Sequence, residues 1–365
     1  MLNKNIYFEF ITIFTFTVIF LGCKKDNVVE VTPIKDPRTY TWTADTLGYP
    51  GAYQTLMTDI WGSSHNDVYV VGHSSMGGSG GMWHYDGNHW TNVLYHTTEG
   101  GQIEGATDLY SIYGFSSHDI YAAGERIIGY NPNPPPTFKD SSLIIHYDGS
   151  AWKRVNIYNG ESLNDIYGSS PNDIWAGGLG KNMFHYNGSI WETDSININV
   201  PDGFDFQVNT ISSYNSNFYF MGYGNNNSTG ESIYYFFKRV SNSWVLQDSF
   251  SDINGGNPFG HRLCQSSLPD LYSNGYGIFK YNNLSWNKIF NSDYPVSCMW
   301  GTGNNNIFAV STGVFHYNGT DWKQIEQLNN PQIDYYAVWT DGTEAFVVGH
   351  IFDGTYQKTI VWHGK

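Results

Sequence analysis

Two histidines and a carboxylate occupy one recurring place in this chain. His73 and His350 each follow Val-Val-Gly, and Glu125 follows Ala-Ala-Gly at a matching point. Two imidazoles and a carboxylate form a common ligand set for divalent transition metals. They fall in separate repeats, however, and packed sheets stand about 10 Å apart. Convergence on one ion would be strained, so no metal is expected. A second series, His84, His146, His185 and His316, sits at a fixed strand position. Recurrence there points to packing or to a hydrogen bond with the adjacent strand. Asp67 and its equivalents precede a strand, where a carboxylate can accept turn N–H groups. Asp202 and Asp205 are two of 33 acidic residues, and only their geometry could make them a pair of the kind that cleaves glycosidic bonds. Cys264 and Cys298 read as buried thiols.

The elements that position these groups are repeats. The residue type at Ile60 recurs as Ile112, Ile166, Ile211, Leu263, Met299 and Val338. The turn residue Asp67 recurs as Asp119, Asp173, Asn217, Asp270, Asn306 and Glu344, and the closing Trp90 as Trp152, Trp191, Trp244, Trp286 and Trp322. The spacing of about 36–54 residues falls near that of propeller blades. Each copy reads as four short strands: A (Ile-Trp-Gly), B (Asp-Val-Tyr-Val-Val-Gly), C (Trp-His-Tyr-Asp) and D (the closing Trp). Aromatic and β-branched residues dominate them, and Asp-Gly or Asn-Gly between C and D signals a tight hairpin. Four antiparallel strands cannot cover both of their faces, but a ring of such sheets can. The expected fold is therefore all-β, a single seven-bladed β-propeller over residues 38–365. The seventh copy ends before its own Trp, so the N-terminal strand around Trp42 should complete it.

The loops fall into two classes. The A–B and C–D connections are short and alike, and they share one rim. The B–C connections (73–81, 125–142, 223–232) and D–A connections (94–108, 195–207, 249–260) are long and dissimilar, and they share the other. Dissimilar loops on a rigid scaffold are where binding tends to reside. The aromatics on that rim, Tyr95, Phe204, Phe206, Tyr223, Phe259, Tyr276, Tyr294, Tyr335 and Tyr356, suit sugar rings or a protein partner.

A net charge of −15 argues against a nucleic-acid partner. With 17% aromatic but only 14% charged residues and 40 glycines, the chain has the makings of a turn-rich β protein. Residues 1–22 have the form of an export leader, with Lys4 ahead of an apolar run from Ile11 to Leu21. Leu21-Gly22-Cys23 resembles the lipobox of bacterial lipoproteins, with Phe20 where that family has Leu. The resemblance implies lipid on Cys23, residues 23–37 as a tether, and attachment to the outer membrane. Lys24-Lys25-Asp26 is similar to the surface-export signals of some of these proteins.

The phrases Ile-Trp-Gly-Ser-Ser-x-Asn-Asp-Val-Tyr-Val-Val-Gly and His-Tyr-Asp-Gly-x-x-Trp resemble those of seven-bladed bacterial β-propeller lipoproteins of unassigned function. The BNR, kelch and photosystem-assembly-factor propellers are their superfamily neighbours. The chain lacks the Asp-x-Gly box and shared arginine position of sialidases, the WD40 signature, and any PQQ, P-loop or nucleophile-elbow phrase. No cofactor is expected. The resulting expectation is a monomeric, membrane-anchored, non-catalytic binding module for a glycan or protein. The alternative is a polysaccharide hydrolase or lyase acting at the central funnel.

Overall fold

The computed structural model describes residues 35–77, 79–95, 106–131, 137–155, 157, 160–252, 256–266 and 268–365. The expected leader over residues 1–22, Cys23 and residues 24–34 of the expected tether lie outside these. Seven four-stranded antiparallel sheets account for nearly all the regular structure. In blade 1 the strands are Thr55–Ser64 (A), Asp67–Ser74 (B), Met82–Tyr85 (C) and Trp90–Asn92 (D), in that spatial order. Blades 2 to 6 repeat this arrangement over residues 106–154, 163–195, 205–252, 262–290 and 298–324.

Strand alternation builds the core. Val68 and Val70 of strand B face one neighbouring blade and pack with Trp339 and Val348. Tyr69 and Val71, one residue out of phase, face the other and pack with Ile112 and Ile145. A separate hydrophobic cluster fills each of the seven gaps between blades. Full burial of one such side chain contributes about 1.5–3 kcal/mol, so the interfaces hold the ring together.

The seventh blade contains three strands from the C-terminus, Asp334–Thr340, Ala345–Phe352 and Gln357–Gly364, and a fourth from the N-terminus, Trp42–Leu47. Trp42 lies opposite Gly364 and Leu47 opposite Thr359. Thr41 and Lys365 extend the ladder by exchanging backbone hydrogen bonds of 3.0 and 3.2 Å. The expected closure is the observed one. The chain is a seven-bladed β-propeller.

The recurring histidines tie strand C to strand B. The Nε2 atoms of His84, His146 and His185 lie 2.7, 2.7 and 2.8 Å from carboxylate oxygens of Asp67, Asp119 and Asp173. Their rings stack on Tyr69, Tyr121 and Trp175 at 4.2, 4.1 and 4.0 Å. His316 makes the same bond to Asn306 at 2.9 Å. Asp67 bonds His84 and the Ser63 hydroxyl instead of the turn N–H groups, because strand C places an imidazole directly beside it. The C–D hairpins do use that turn chemistry. Asp86 Oδ1 accepts from the N–H groups of Asn88 and His89 at 2.9 and 3.0 Å, and Gly87 between them takes φ 93°.

Blade 2 departs from the expected loop over 125–142. Its strand B runs Asp119–Asn131 and its strand C resumes at Thr137, with Arg126 opposite Ser141 and Ile128 opposite Lys139. The β-branched pair Ile127-Ile128 favours strand, so the segment extends the hairpin as an arm.

A candidate binding funnel on the propeller axis

A bulge in strand A shapes the axis. The A–B register slips between Met57 and Asp59, Leu109 and Ser111, Leu163 and Asp165, Val208 and Thr210, and Tyr335 and Ala337. The extra residues are Thr58, Tyr110, Asn164, Asn209 and Tyr336. A bulge redirects the side chain it inserts, and these five line one cavity on the axis. His261 and Ser297 complete the ring from blades 5 and 6. The glycine that ends strand B's apolar run in blades 1 to 3 has its reason here. A Cβ at Gly72, Gly124 or Gly178 would lie 2.0 Å from the carbonyl oxygen of Leu56, Asp108 or Ser162, so only glycine lets the bulged backbone pass this close.

The cavity holds about 450 Å³, within the range of small-molecule sites, about 300–1,000 Å³. It opens where the A strands begin, on the rim that carries the B–C and D–A loops. Its lining is rich in hydroxyl, amide and aromatic groups. Asn164 and Asn209 each donate an amide hydrogen to the next blade, to the carbonyls of Val208 and His261 at 3.0 Å. Among the described residues no hydrogen bond reaches their side-chain oxygens. Thr58 Oγ1 and His261 Nε2 are buried without a partner, and burial holds the His261 imidazole below its ordinary pKa.

Beneath this ring lies a second, one residue further along each A strand: Asp59, Ser111, Asp165, Thr210, Arg262, Cys298 and Ala337. It acts as a latch from blade to blade. The Ile112 N–H donates to Asp59 Oδ2 at 2.8 Å, the Ile166 N–H to Ser111 Oγ at 3.3 Å, and the Leu263 N–H to Thr210 Oγ1 at 2.6 Å. The Ile211 N–H donates to Asp165 Oδ2. Gln265 reaches across from blade 5, its Nε2 lying 2.9 and 2.8 Å from the two Asp165 oxygens. Only about 50 Å³ of space remains at this level, so the funnel narrows sharply. Burial pushes Asp59 up to about 6 and Asp165 up to about 7, against the pull of these backbone donors and of Arg262.

The residues read from sequence fall around this funnel unevenly. Tyr95, Phe206, Phe259 and Tyr335 are buried. Tyr95 bonds Thr107 at 2.9 Å and Tyr335 donates to the Leu328 carbonyl, so these rings pack beneath their own loops. Tyr223 is half-buried and bonds Asn225 and Ser232. Phe204 lines a separate groove with Asp202 and Asp205. Tyr276, Tyr294 and Tyr356 are exposed; Tyr276 meets the His261 ring edge-on at 5.9 Å, and Tyr356 stacks on Tyr53 at 6.2 Å.

His73, Glu125 and His350 do not converge. His73 Nδ1 lies 2.8 Å from Asp108. Glu125 accepts from the Tyr110 hydroxyl at 2.7 Å, and His350 contacts the Met57 carbonyl and stacks on Tyr336 at 4.0 Å. Glu125 and His350 thus hold two funnel tyrosines from behind. Cys264 and Cys298 are free thiols. Cys264 Sγ donates to the Met299 carbonyl at 3.2 Å, and burial pushes Cys298 up to about 12.

No protein-family model and no curated protein sequence matches the chain. Solved structures do. The Pan2 WD40 domain of Neurospora crassa aligns with a TM-score of 0.54 at 10% identity, covering 90% of this chain and 97% of that one. A Trypanosoma rangeli sialidase aligns at 0.44 and 9% identity, covering 88% and 59%. An α-L-arabinofuranosidase from Fusarium graminearum aligns at 0.39 and 13%, covering 70% and 91%. What the chain shares with the first of these is the propeller fold. At such identities nothing about activity transfers.

Proposed function

We propose that this propeller is a non-catalytic binding module of the cell envelope, and that its axial funnel and surrounding loops receive a glycan. One observation carries the reading: strand bulges deliver a ring of hydroxyl, amide and tyrosine groups to a single recess, and several of their polar atoms have no protein partner. Sugars offer alternating hydroxyls and apolar ring faces, which such a lining complements. Lipid attachment at Cys23 would place the funnel outside the cytoplasm. The apolar run ending at Leu21-Gly22-Cys23 supports this, and metabolic palmitate labelling that persists in Cys23→Ala would defeat it.

The compact unit Lys35–Lys365 should bind members of a glycan array. Asn209→Ala with Tyr336→Ala should weaken the best hit at least about tenfold, the loss of one or two good hydrogen bonds and a stacking face. An unchanged affinity in this pair would remove the funnel as the site. The catalytic alternative rests on Asp59 and Asp165, whose raised pKa values suit acid–base work. Against it, both oxygens of each carboxylate already accept hydrogen bonds from the protein. Sugar release on prolonged incubation, abolished in Asp165→Asn, would reverse that preference.

A further inference from the structure

Arg262 breaks the latch. In blades 1 to 4 the residue at its position accepts an N–H from the next blade through a side-chain oxygen. A guanidinium has five donors and no acceptor, so Arg262 cannot do this work. Its side chain is exposed and lines both the funnel and the narrow space beneath it. No hydrogen bond or ion pair to Arg262 is found among the described residues, whereas Arg38 pairs with Asp321 at 2.8 Å and Arg239 with Asp194 at 2.6 Å. The nearby acids Asp59 and Asp165 spend their oxygens on other donors. Blade 7 lacks the acceptor too, because Ala337 has no polar side-chain atom, but only blade 5 puts a cation at this position, one with no hydrogen-bonded partner among the described residues, on the floor of a polar recess.

Resting on the funnel reading above, we infer that the ligand is an acidic sugar whose carboxylate pairs with Arg262 while its hydroxyls meet the ring above. A guanidinium matches a carboxylate in two parallel hydrogen bonds. The walls favour a sugar over an acidic peptide, since Thr58, Tyr110, Asn164, Asn209 and Ser297 present hydroxyls and amides where peptide side chains would need apolar pockets. The surface as a whole is acidic, with a net charge of −15. Long-range attraction does not help such a ligand, and selectivity must come from the short-range contact in the recess.

The test is calorimetric titration of the full chain with uronic-acid trimers (galacturonate, glucuronate and mannuronate) and their carboxyl-reduced neutral counterparts. At least one acid trimer should bind about tenfold or more tightly than its neutral counterpart, the difference made by one charge-assisted pair. That preference should vanish in Arg262→Met, with neutral-sugar affinity unchanged, and survive in part in Arg262→Lys. Thermal denaturation of each variant would show whether it folds, and the lysine variant keeps the question open if methionine does not. Equal binding of acid and neutral trimers, or an acid preference that persists in Arg262→Met, overturns the carboxylate assignment and leaves the funnel standing if Asn209→Ala with Tyr336→Ala still weakens binding about tenfold. Binding of acidic hexapeptides but of no uronate also overturns it, as does binding of no trimer at all.

Discussion

A chain that begins at Gly48 is expected to lose its cooperative thermal transition, or to melt at least 10 °C below a chain that begins at Lys35. The shorter chain lacks the strand Trp42–Leu47 and with it the whole outer ladder of blade 7. Tyr40 and Leu47 are 1% and 3% exposed, and each sits in an interblade cluster, one on either side of that blade. Burying two such side chains is worth about 1.5–3 kcal/mol apiece, before any strand pairing is counted. A stability loss of several kcal/mol lies within reach of total unfolding for most domains. The deletion also bares Gln357–Gly364 as an open edge, a template for pairing with other chains. Concentration-dependent aggregation should accompany the lower melting temperature in differential scanning calorimetry. Equal melting temperatures for the two chains would mean that the ring is held by its interfaces alone and that the seam carries no load.

The sequence disclosed this closure because a missing Trp at one end and a spare one at the other are countable. It disclosed the strands, the C–D turns and the histidine ties for the same reason, since each recurs with the repeat. The funnel was harder to read. Its residues stand two places before Ile60 and its equivalents, and a lone bulge shifts the register without any signature glycine or proline in strand A. One clue was present: Thr58-Asp59, Asn164-Asp165 and Asn209-Thr210 put two polar residues in succession where a half-buried strand should alternate. Arg262 carries no repeat signal, because no other arginine shares its position. On the axis its importance is its charge, since the rest of its column supplies acceptors at Asp59, Ser111, Asp165 and Thr210 and no other cation. The loop aromatics illustrate the opposite limit. Tyr95 and Tyr356 are both loop tyrosines on the same rim, yet one is buried against Thr107 and the other exposed beside Tyr53, a difference set by tertiary packing.

Replacing both buried acids, Asp59→Asn with Asp165→Asn, should flatten the dependence of stability on pH. Burial raises the two folded-state pKa values to about 6 and about 7, above the ordinary carboxylate value of about 3.9. Between about pH 4 and pH 7 the folded protein therefore holds protons that the unfolded chain has released. Stability from this source is greatest on the acid side, declines as pH rises through 6 and 7, and is level beyond. Each unit of displacement is worth about 1.4 kcal/mol, so the pair should cost the wild-type protein several kcal/mol on going from pH 5 to pH 8. The histidines work in the opposite sense: burial lowers His261, His350 and His363, and takes His316 to about 4, so they weaken the fold as pH falls. They are common to both proteins and drop out of the difference. Asparagine cannot accept at both side-chain positions, so the variant should be the weaker protein at pH 5 through lost latch bonds. Its melting temperature relative to wild type should then climb by several degrees by pH 8. Parallel melting curves across that range would show that Asp59 and Asp165 are ionised throughout, and that the latch is held by charge instead of by shared protons.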